Sequence, residues 1–235
     1  MARIRTIKPE FWEDELVGSI SREARLLFLS CLNIADDEGL LRWSPAYIKS
    51  SAFMYDEDIG LAETQQFMEE LTSSGMFHSY RAGKSQQPFA YIVGFHKHQK
   101  INRPSPSRLP APPLGVQETV EMYRRRDGNR CHLCQGEVDK HCGGHEDFLI
   151  SIDHILPVSK GGTDFPSNIR ISHQTCNKGR GNRTVEQYKE LIASGKTVAQ
   201  ARHPERFTAA LTADLTETIS ESSPPDLGPS TYDLG

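Results

Sequence analysis

Two pairs of possible metal ligands restrict this chain more than any other feature: Cys131 and Cys134 in "CHLC", then His173 and Cys176 in "HQTC", which begins thirty-nine residues after Cys134. Thiolate and imidazole are the donors that Zn²⁺ favours, and two such pairs complete a tetrahedral site with no position left for water. A zinc held this way is structural, and the intervening segment has to return on itself to bring its ends together. Cys142, His141 and His145 in the Gly-rich "KHCGGHED" compete for the fourth position on residue type. That stretch reads as a loop between strands, with Cys142 a free thiol. Four of the five cysteines fall within 46 residues, which in a reducing cytosol indicates metal ligation before disulfides. The fifth, Cys31, lies in an apolar helical pattern and reads as a small buried hydrophobe.

The chain around this cluster divides by composition. Residues 101–116, "INRPSPSRLPAPPLGV", hold five prolines and little that can pack, as expected of a semi-rigid linker. Residues 1–100 precede it, 117–202 carry the ligand pairs, and 203–235 form an acidic, Pro- and Ser-rich tail that reads as disordered. The tail has one basic and six acidic groups, so the net charge of −4 reflects the tail rather than the folded regions. Attraction to nucleic acid must therefore come from local patches. No apolar run approaches the roughly 18 residues a membrane helix needs. The basic residues of "MARIRTIKPEFW" have no apolar segment behind them, so no secretory signal is expected. The expected location is cytoplasmic, with no membrane partner.

In the first region, "SREARLLFLSCLNIADDEG" reads as a helix with Ser21 as N-cap and apolar residues almost all round, hence central to a core. "WSPAYIKSSAF" starts a second helix with Ser44 as N-cap and Pro45 in the first position. "LAETQQFMEELTSSGMF" places Leu61, Phe67, Met68 and Leu71 on one face of a third, ending at Gly75. "MFHSY" and "FAYIVGF" then flank the polar "RAGKSQQP" as a hairpin with a long loop. Three helices and a hairpin resemble a winged helix-turn-helix domain. "RIRTIKPEFW", "SREARLLFL", "ADDEG" and "HKHQKINRPSPSRLP" resemble the N-terminal domain of phage replication-type proteins. The competing reading is a protein-interaction module. The third helix, which should enter the major groove, carries Glu63, Glu69 and Glu70 and no Lys or Arg. DNA contact by this region is expected instead from Arg3, Arg5 and Lys8, or from Lys97, Lys100, Arg103 and Arg108.

In the third region, "VQETVEMYRRRDGNR" reads as a helix ending near Asp127-Gly128. Between the ligand pairs lies "FLISIDHILPVSKGGTDFPSNIRISHQTCNKGRGN". Its order is Cys-x-x-Cys, Asp-His at the end of a strand, Pro and Gly-Gly in a loop, Asn-Ile-Arg, then Cys-Asn opening a helix. Over about residues 121–183 this resembles the HNH endonucleases, the ββα-metal nuclease family. One departure is His173, where many members carry Cys; it keeps a zinc ligand. The fold class implied is α+β, a winged-helix-like unit linked to a small zinc-stabilised ββα-metal domain. The resemblance gives Asp153 and Asn177 the role of ligands to a catalytic divalent cation. Two hard oxygen donors suit Mg²⁺ or Mn²⁺. His154, on the opposite side of the strand from Asp153, becomes the general base on a water. Asn168 is expected to pin the loop, and to orient His154, without binding metal. Lys178, Arg180 and Arg183 are candidates for DNA phosphates, with Arg124, Arg125 and Arg126 as a second patch.

The function implied is a metal-dependent DNA endonuclease of phage derivation, with DNA and a phage replication or packaging protein as partners in the bacterial host cell. The alternative is a non-catalytic DNA-binding or replication-organising protein that keeps the zinc fold as scaffold. A homing nuclease beside a phage-like domain is a third reading. A scaffold has no evident need for Asp153, His154, Asn168 and Asn177 together, which favours the enzyme.

Overall fold

The computed structural model describes residues 3–138 and 149–194. His141, Cys142, His145, the end of the third region and the acidic tail lie outside the described residues.

Two short helices, α1 (Glu10–Glu13) and α2 (Glu15–Ser19), lead into α3 (Arg22–Ile34). The Ser21 hydroxyl accepts the Ala24 amide at 3.2 Å, so the expected N-cap forms. Helix α3 is not apolar on every side as expected. It buries Ala24, Leu27, Cys31 and Leu32 on one face and leaves Leu26 53% exposed. Strand β1 (Leu40–Arg42), α4 (Pro45–Ala52) and α5 (Leu61–Ser73) follow, then the hairpin β2 (Phe77–Ala82) and β3 (Gln87–Ile92). The sheet is antiparallel in the order β1-β3-β2. The sequence reading missed β1, whose three residues are too few to show a period. Glycine at position 39 is required at its entry: φ is +77° and an added Cβ would lie 2.6 Å from Phe95 Cγ. The hairpin loop is shorter than expected, because Arg81 pairs with Pro88 and Ala82 with Gln87. Leu27, Ile48, Phe53 and Leu71 are wholly buried between helices and sheet. Such side chains contribute about 1.5–3 kcal/mol each.

After α6 (Phe95–His98) the proline-rich segment is fastened down rather than spanning solvent. The Ser105 amide donates to Asp37 at 2.9 Å, the Ser107 hydroxyl donates to Asp36, and Pro110 O accepts the Tyr80 hydroxyl at 2.7 Å. Prolines leave few backbone donors, and the Asp37 carboxylate serves one of those that remain, the Ser105 amide. The same turn engages two candidate DNA contacts. Arg3 and Arg5 both pair with Asp37, at 3.1 and 2.9 Å, with the Arg5 side chain buried. Burial opposes ionisation of Asp37, but the Ser105 amide and the two guanidinium groups hold its carboxyl below the ordinary value. Lys8 donates to Lys97 O at 3.3 Å. Lys97, Lys100, Arg103 and Arg108 are exposed.

Helix α7 (Gln117–Arg126) opens the third region, followed by β4 (Ile150–His154), β5 (Ile169–His173), α8 (Gln174–Arg180) and α9 (Val185–Ala193). Strands β4 and β5 form an antiparallel pair, with Asp153 opposite Arg170 and His154 opposite Ile169. The buried side chains continue without interruption from the first unit through Met122 and Tyr123 of α7 to Ile169, Ile171 and Tyr188. His78 of β2 reaches Thr119 of α7 at 3.1 Å. Glu38 accepts the amide and hydroxyl of Ser167 at 3.3 and 3.0 Å. Among the described residues no helix is long and apolar enough to cross a membrane.

Candidate metal centre and active site

The four expected zinc ligands converge. The donor atoms of Cys131, Cys134, His173 and Cys176 lie within 4.8 Å of one another, all buried. Local backbone explains the first pair. Arg130 and Glu137 bridge, Cys131 N donates to Gly136 O at 2.9 Å, and Gln135 N donates to Cys131 O at 2.8 Å. This tight turn presents two thiols on one side. The second pair straddles the β5–α8 junction: His173 is the N-cap of α8 and Cys176 lies in its first turn. Glu137 O accepts from His173 Nε2 at 2.8 Å, which leaves Nδ1 as the ligand atom. Nδ1 stands 3.3 Å from Cys134 Sγ and 3.7 Å from Cys176 Sγ. Ligands about a tetrahedral zinc are separated by roughly 3.5–3.8 Å. The Cys131 and Cys134 thiols, followed by burial, push the Cys176 thiol far above its ordinary value when no cation is there to balance thiolates. The donor set therefore fits zinc.

Beyond the knuckle, alternation along β4 sends Asp153 inward and His154 outward. Asp153 is 1% exposed and both of its oxygens are engaged. Oδ2 accepts from His132 Nε2 at 2.7 Å, and Oδ1 accepts from the Arg180 guanidinium. His132 comes from inside the Cys-x-x-Cys turn, so the knuckle and α8 meet on this one carboxylate. Sequence reasoning missed His132; its only signal was an imidazole between two zinc ligands. Asn177, in the first turn of α8, donates its amide nitrogen to Ser151 Oγ at 2.9 Å and to Ile152 O at 3.0 Å. These two bonds use only the amide nitrogen, so the carbonyl oxygen could ligate a cation. Asn168 fastens the loop as expected: its side chain accepts Leu156 N at 2.8 Å and donates to Leu156 O and Thr163 O at 3.1 and 2.8 Å. It does not orient His154. That side chain, 21% exposed, meets Asp164 Oδ1 at 2.7 Å through Nε2. Asp164 was not singled out from the sequence, because a lone acidic residue in a Gly-Gly-Thr-Asp loop looks like any solvated carboxylate.

The basic candidates separate by burial. Arg180, expected on phosphate, is 2% exposed. Besides Asp153 it donates to His154 O at 2.8 Å and to Arg183 O at 2.6 Å, while its Nε has no partner among the described residues. Arg126, also expected on phosphate, keeps only 8% of its side chain exposed. It pairs with Asp127 at 2.7 Å, covers the Tyr123 ring at 4.6 Å and donates to Pro166 O at 2.9 Å. Both are struts of the fold, because burial of a guanidinium is tolerable only where carboxylates and carbonyls surround it. Arg124 is bound to Glu121 at 2.7 Å. Lys178, Arg183 and Arg125 remain on the surface, Arg125 with a 3.7 Å contact to Glu121. Arg183 lies beyond the end of α8, in the turn to α9, and not on the helix of Asn177.

Comparison with known proteins adds three findings. No curated protein matches the chain. A solved structure titled "N-Terminal domain of DNA binding protein" aligns at 12% identity over 54% of this chain and 88% of its own, with a TM-score of 0.27. The segment that carries the Cys/His knuckle, the Asp153-His154 strand and the Asn177 helix matches the family model of the HNH endonucleases over residues 131–183, and in that segment this chain contains an HNH domain.

Proposed function

We propose that this protein is a metal-dependent DNA endonuclease that hydrolyses phosphodiester bonds with His154 as general base. The observation that carries this reading is the contrast between His154 and its neighbours. Asp153 joins the knuckle to α8, Asn168 closes a loop and Asn177 fastens α8 to β4, so each has a structural duty. These duties also suit a non-catalytic scaffold, so the joint presence of the residues does not by itself favour an enzyme. His154 has no such duty: its side chain is partly exposed at the end of β4 and is bonded to an exposed carboxylate. An imidazole placed there, beside the residues that could hold a cation, is what proton abstraction from water requires.

Asp153, through its carboxylate, and Asn177, through its amide oxygen, would hold Mg²⁺ or Mn²⁺. The donor set fits a hard cation, provided that the cation shares Asp153 with Arg180 or takes the guanidinium's place. When bound, the cation supplies charge neutralisation at the phosphate and at the departing oxygen. His154 takes a proton from water, whose oxygen bonds to phosphorus. The bond from phosphorus to O3′ breaks, and O3′ acquires a proton from solvent, leaving 5′-phosphate and 3′-hydroxyl ends. Lys178, Arg183 and Arg125 hold the phosphate backbone, assisted by the exposed Lys97, Lys100, Arg103 and Arg108 along the fastened proline-rich segment. The first unit, with its helix-strand-helix-helix-hairpin order, acts as a winged helix that recruits the nuclease to DNA or to a phage replication partner.

The test is supercoiled-plasmid nicking by the full chain across Mg²⁺, Mn²⁺, Ni²⁺ and Zn²⁺, with His154→Ala beside it. Loss of one well-placed general base lowers the rate by about 10²–10⁴-fold, with zinc content and melting temperature unchanged. Equal cutting by His154→Ala refutes the assignment of the base; no cutting by the wild type under any metal favours the scaffold.

A further inference from the structure

The loop between β4 and β5 is built more firmly than a surface connection needs to be. Asn168 closes it with three side-chain hydrogen bonds to Leu156 and Thr163. Gly162 donates to Pro157 O at 3.1 Å, and a Cβ at this position would lie 1.8 Å from Leu156 O, so the backbone crosses itself where only glycine fits. On the far side Phe165 packs against the core, Pro166 O accepts Arg126, and Ser167 is held by Glu38 of the first unit. Asp164 sits between these anchors, and the fixed backbone on either side delivers its carboxylate to His154 Nε2 at 2.7 Å.

Stability does not explain this contact. Asp164 is 60% exposed, and an ion pair so open to water is worth at most about 1 kcal/mol. A carboxylate can only accept, so Nε2 of a neutral His154 carries the hydrogen and Nδ1 carries the lone pair. We infer that Asp164 is a positioning residue that fixes the tautomer and ring direction of His154, so that Nδ1 is the atom presented to water. The inference rests on the nuclease reading above and adds to it the group that prepares the base. A third residue that orients a base which in turn acts on a nucleophile is a recurring arrangement in hydrolytic sites. Here a loop side chain fills the place, although its neighbour Asn168 was expected to.

The test uses the full-length, zinc-loaded protein with Asp164→Ala, Asp164→Glu and His154→Ala. Asp164→Ala is expected to lower kcat of nicking by about tenfold or more, a fraction of the general-base effect, with KM, zinc content and melting temperature unchanged. Asp164→Glu, which keeps a carboxylate, restores most of the lost rate. Nitrogen-15 NMR of the His154 ring should show Nε2 protonated in the wild type and a mixture of tautomers in Asp164→Ala, a change that a merely structural role would not produce. The inference is overturned if Asp164→Ala keeps both the wild-type tautomer and kcat within twofold. If His154→Ala cuts normally, the nuclease assignment of His154 fails instead. The tautomer still reports on Asp164 if the wild type cuts nothing.

Discussion

Arg180→Met separates two accounts of one residue: a cation on a DNA phosphate, or a strut inside the fold. The guanidinium bonds Asp153, His154 O and Arg183 O, and the two side chains of the ion pair are 3% and 1% exposed. Methionine keeps most of the aliphatic stem and removes the charge, which leaves Asp153 with His132 as its remaining partner at 2.7 Å. Removing one member of a buried pair costs about 3–5 kcal/mol. The loss should fall near the lower end, because His132 stays and because Arg180 Nε is already buried without a partner among the described residues. About 3 kcal/mol in a chain of this length lowers the melting temperature by roughly 6–12 °C. Thermal and urea unfolding of Arg180→Met, Asp153→Asn and the double variant measure it. The double variant should lose much less than the two single losses added, since neither charge is then left alone. DNA binding supplies the opposing readout. A phosphate contact contributes about 0.9 to the slope of log affinity against log salt. Arg180→Met should leave that slope unchanged, whereas Lys178→Ala should reduce it by about 0.9. A variant that melts within about 1 °C of wild type and loses about 0.9 in slope would falsify the strut and restore the phosphate contact.

Two further outcomes follow from the same geometry. Chelation, or Cys131→Ser, should release the zinc held by the four-ligand cluster, measured by atomic absorption, and abolish the β4–β5–α8 arrangement that depends on it, measured by circular dichroism. Retention of the native spectrum without zinc would refute a structural role. Burial first, with the Arg125 charge assisting against Glu118, holds His78 below its ordinary value of 6.5 where β2 meets α7. The unfolded chain therefore takes up this proton first as pH falls through 6.5, and stability should decline from pH 7 toward pH 5. Urea midpoints across that range should show a shallower decline in His78→Gln; equal slopes would remove His78 as the cause.

Several of these residues could be read from sequence because their constraint is local or chemical. Cys131, Cys134, His173 and Cys176 were identified by spacing and donor type, since few other arrangements satisfy zinc. Ser21 and Pro45 marked helix starts because a cap or a fixed φ acts within one turn. Asp153 and His154 separated onto opposite faces because side chains alternate along any strand. Arg126 and Arg180 failed for the converse reason: a guanidinium has the same letter in water and in a core, and only packing places carboxylates and carbonyls around it. The proline-rich segment looked like a spacer because its anchors, Asp36, Asp37 and Tyr80, lie 30 to 71 residues away in sequence.

By itself, then, the amino-acid order determined the Cys/His cluster, the strand with its Asp-His step and the helix that follows, each set by contacts no longer than a turn or by the type and spacing of the donor residues. Only the tertiary structure decided that Asp153 is shared by His132 and Arg180, that Asp164 holds His154, and that Glu38 of the first unit secures the loop of the second. Those pairings join residues 10 to 129 positions apart, and no local rule governs them. They exist because the enclosed backbone and charges had to find partners once the two units closed on a common core.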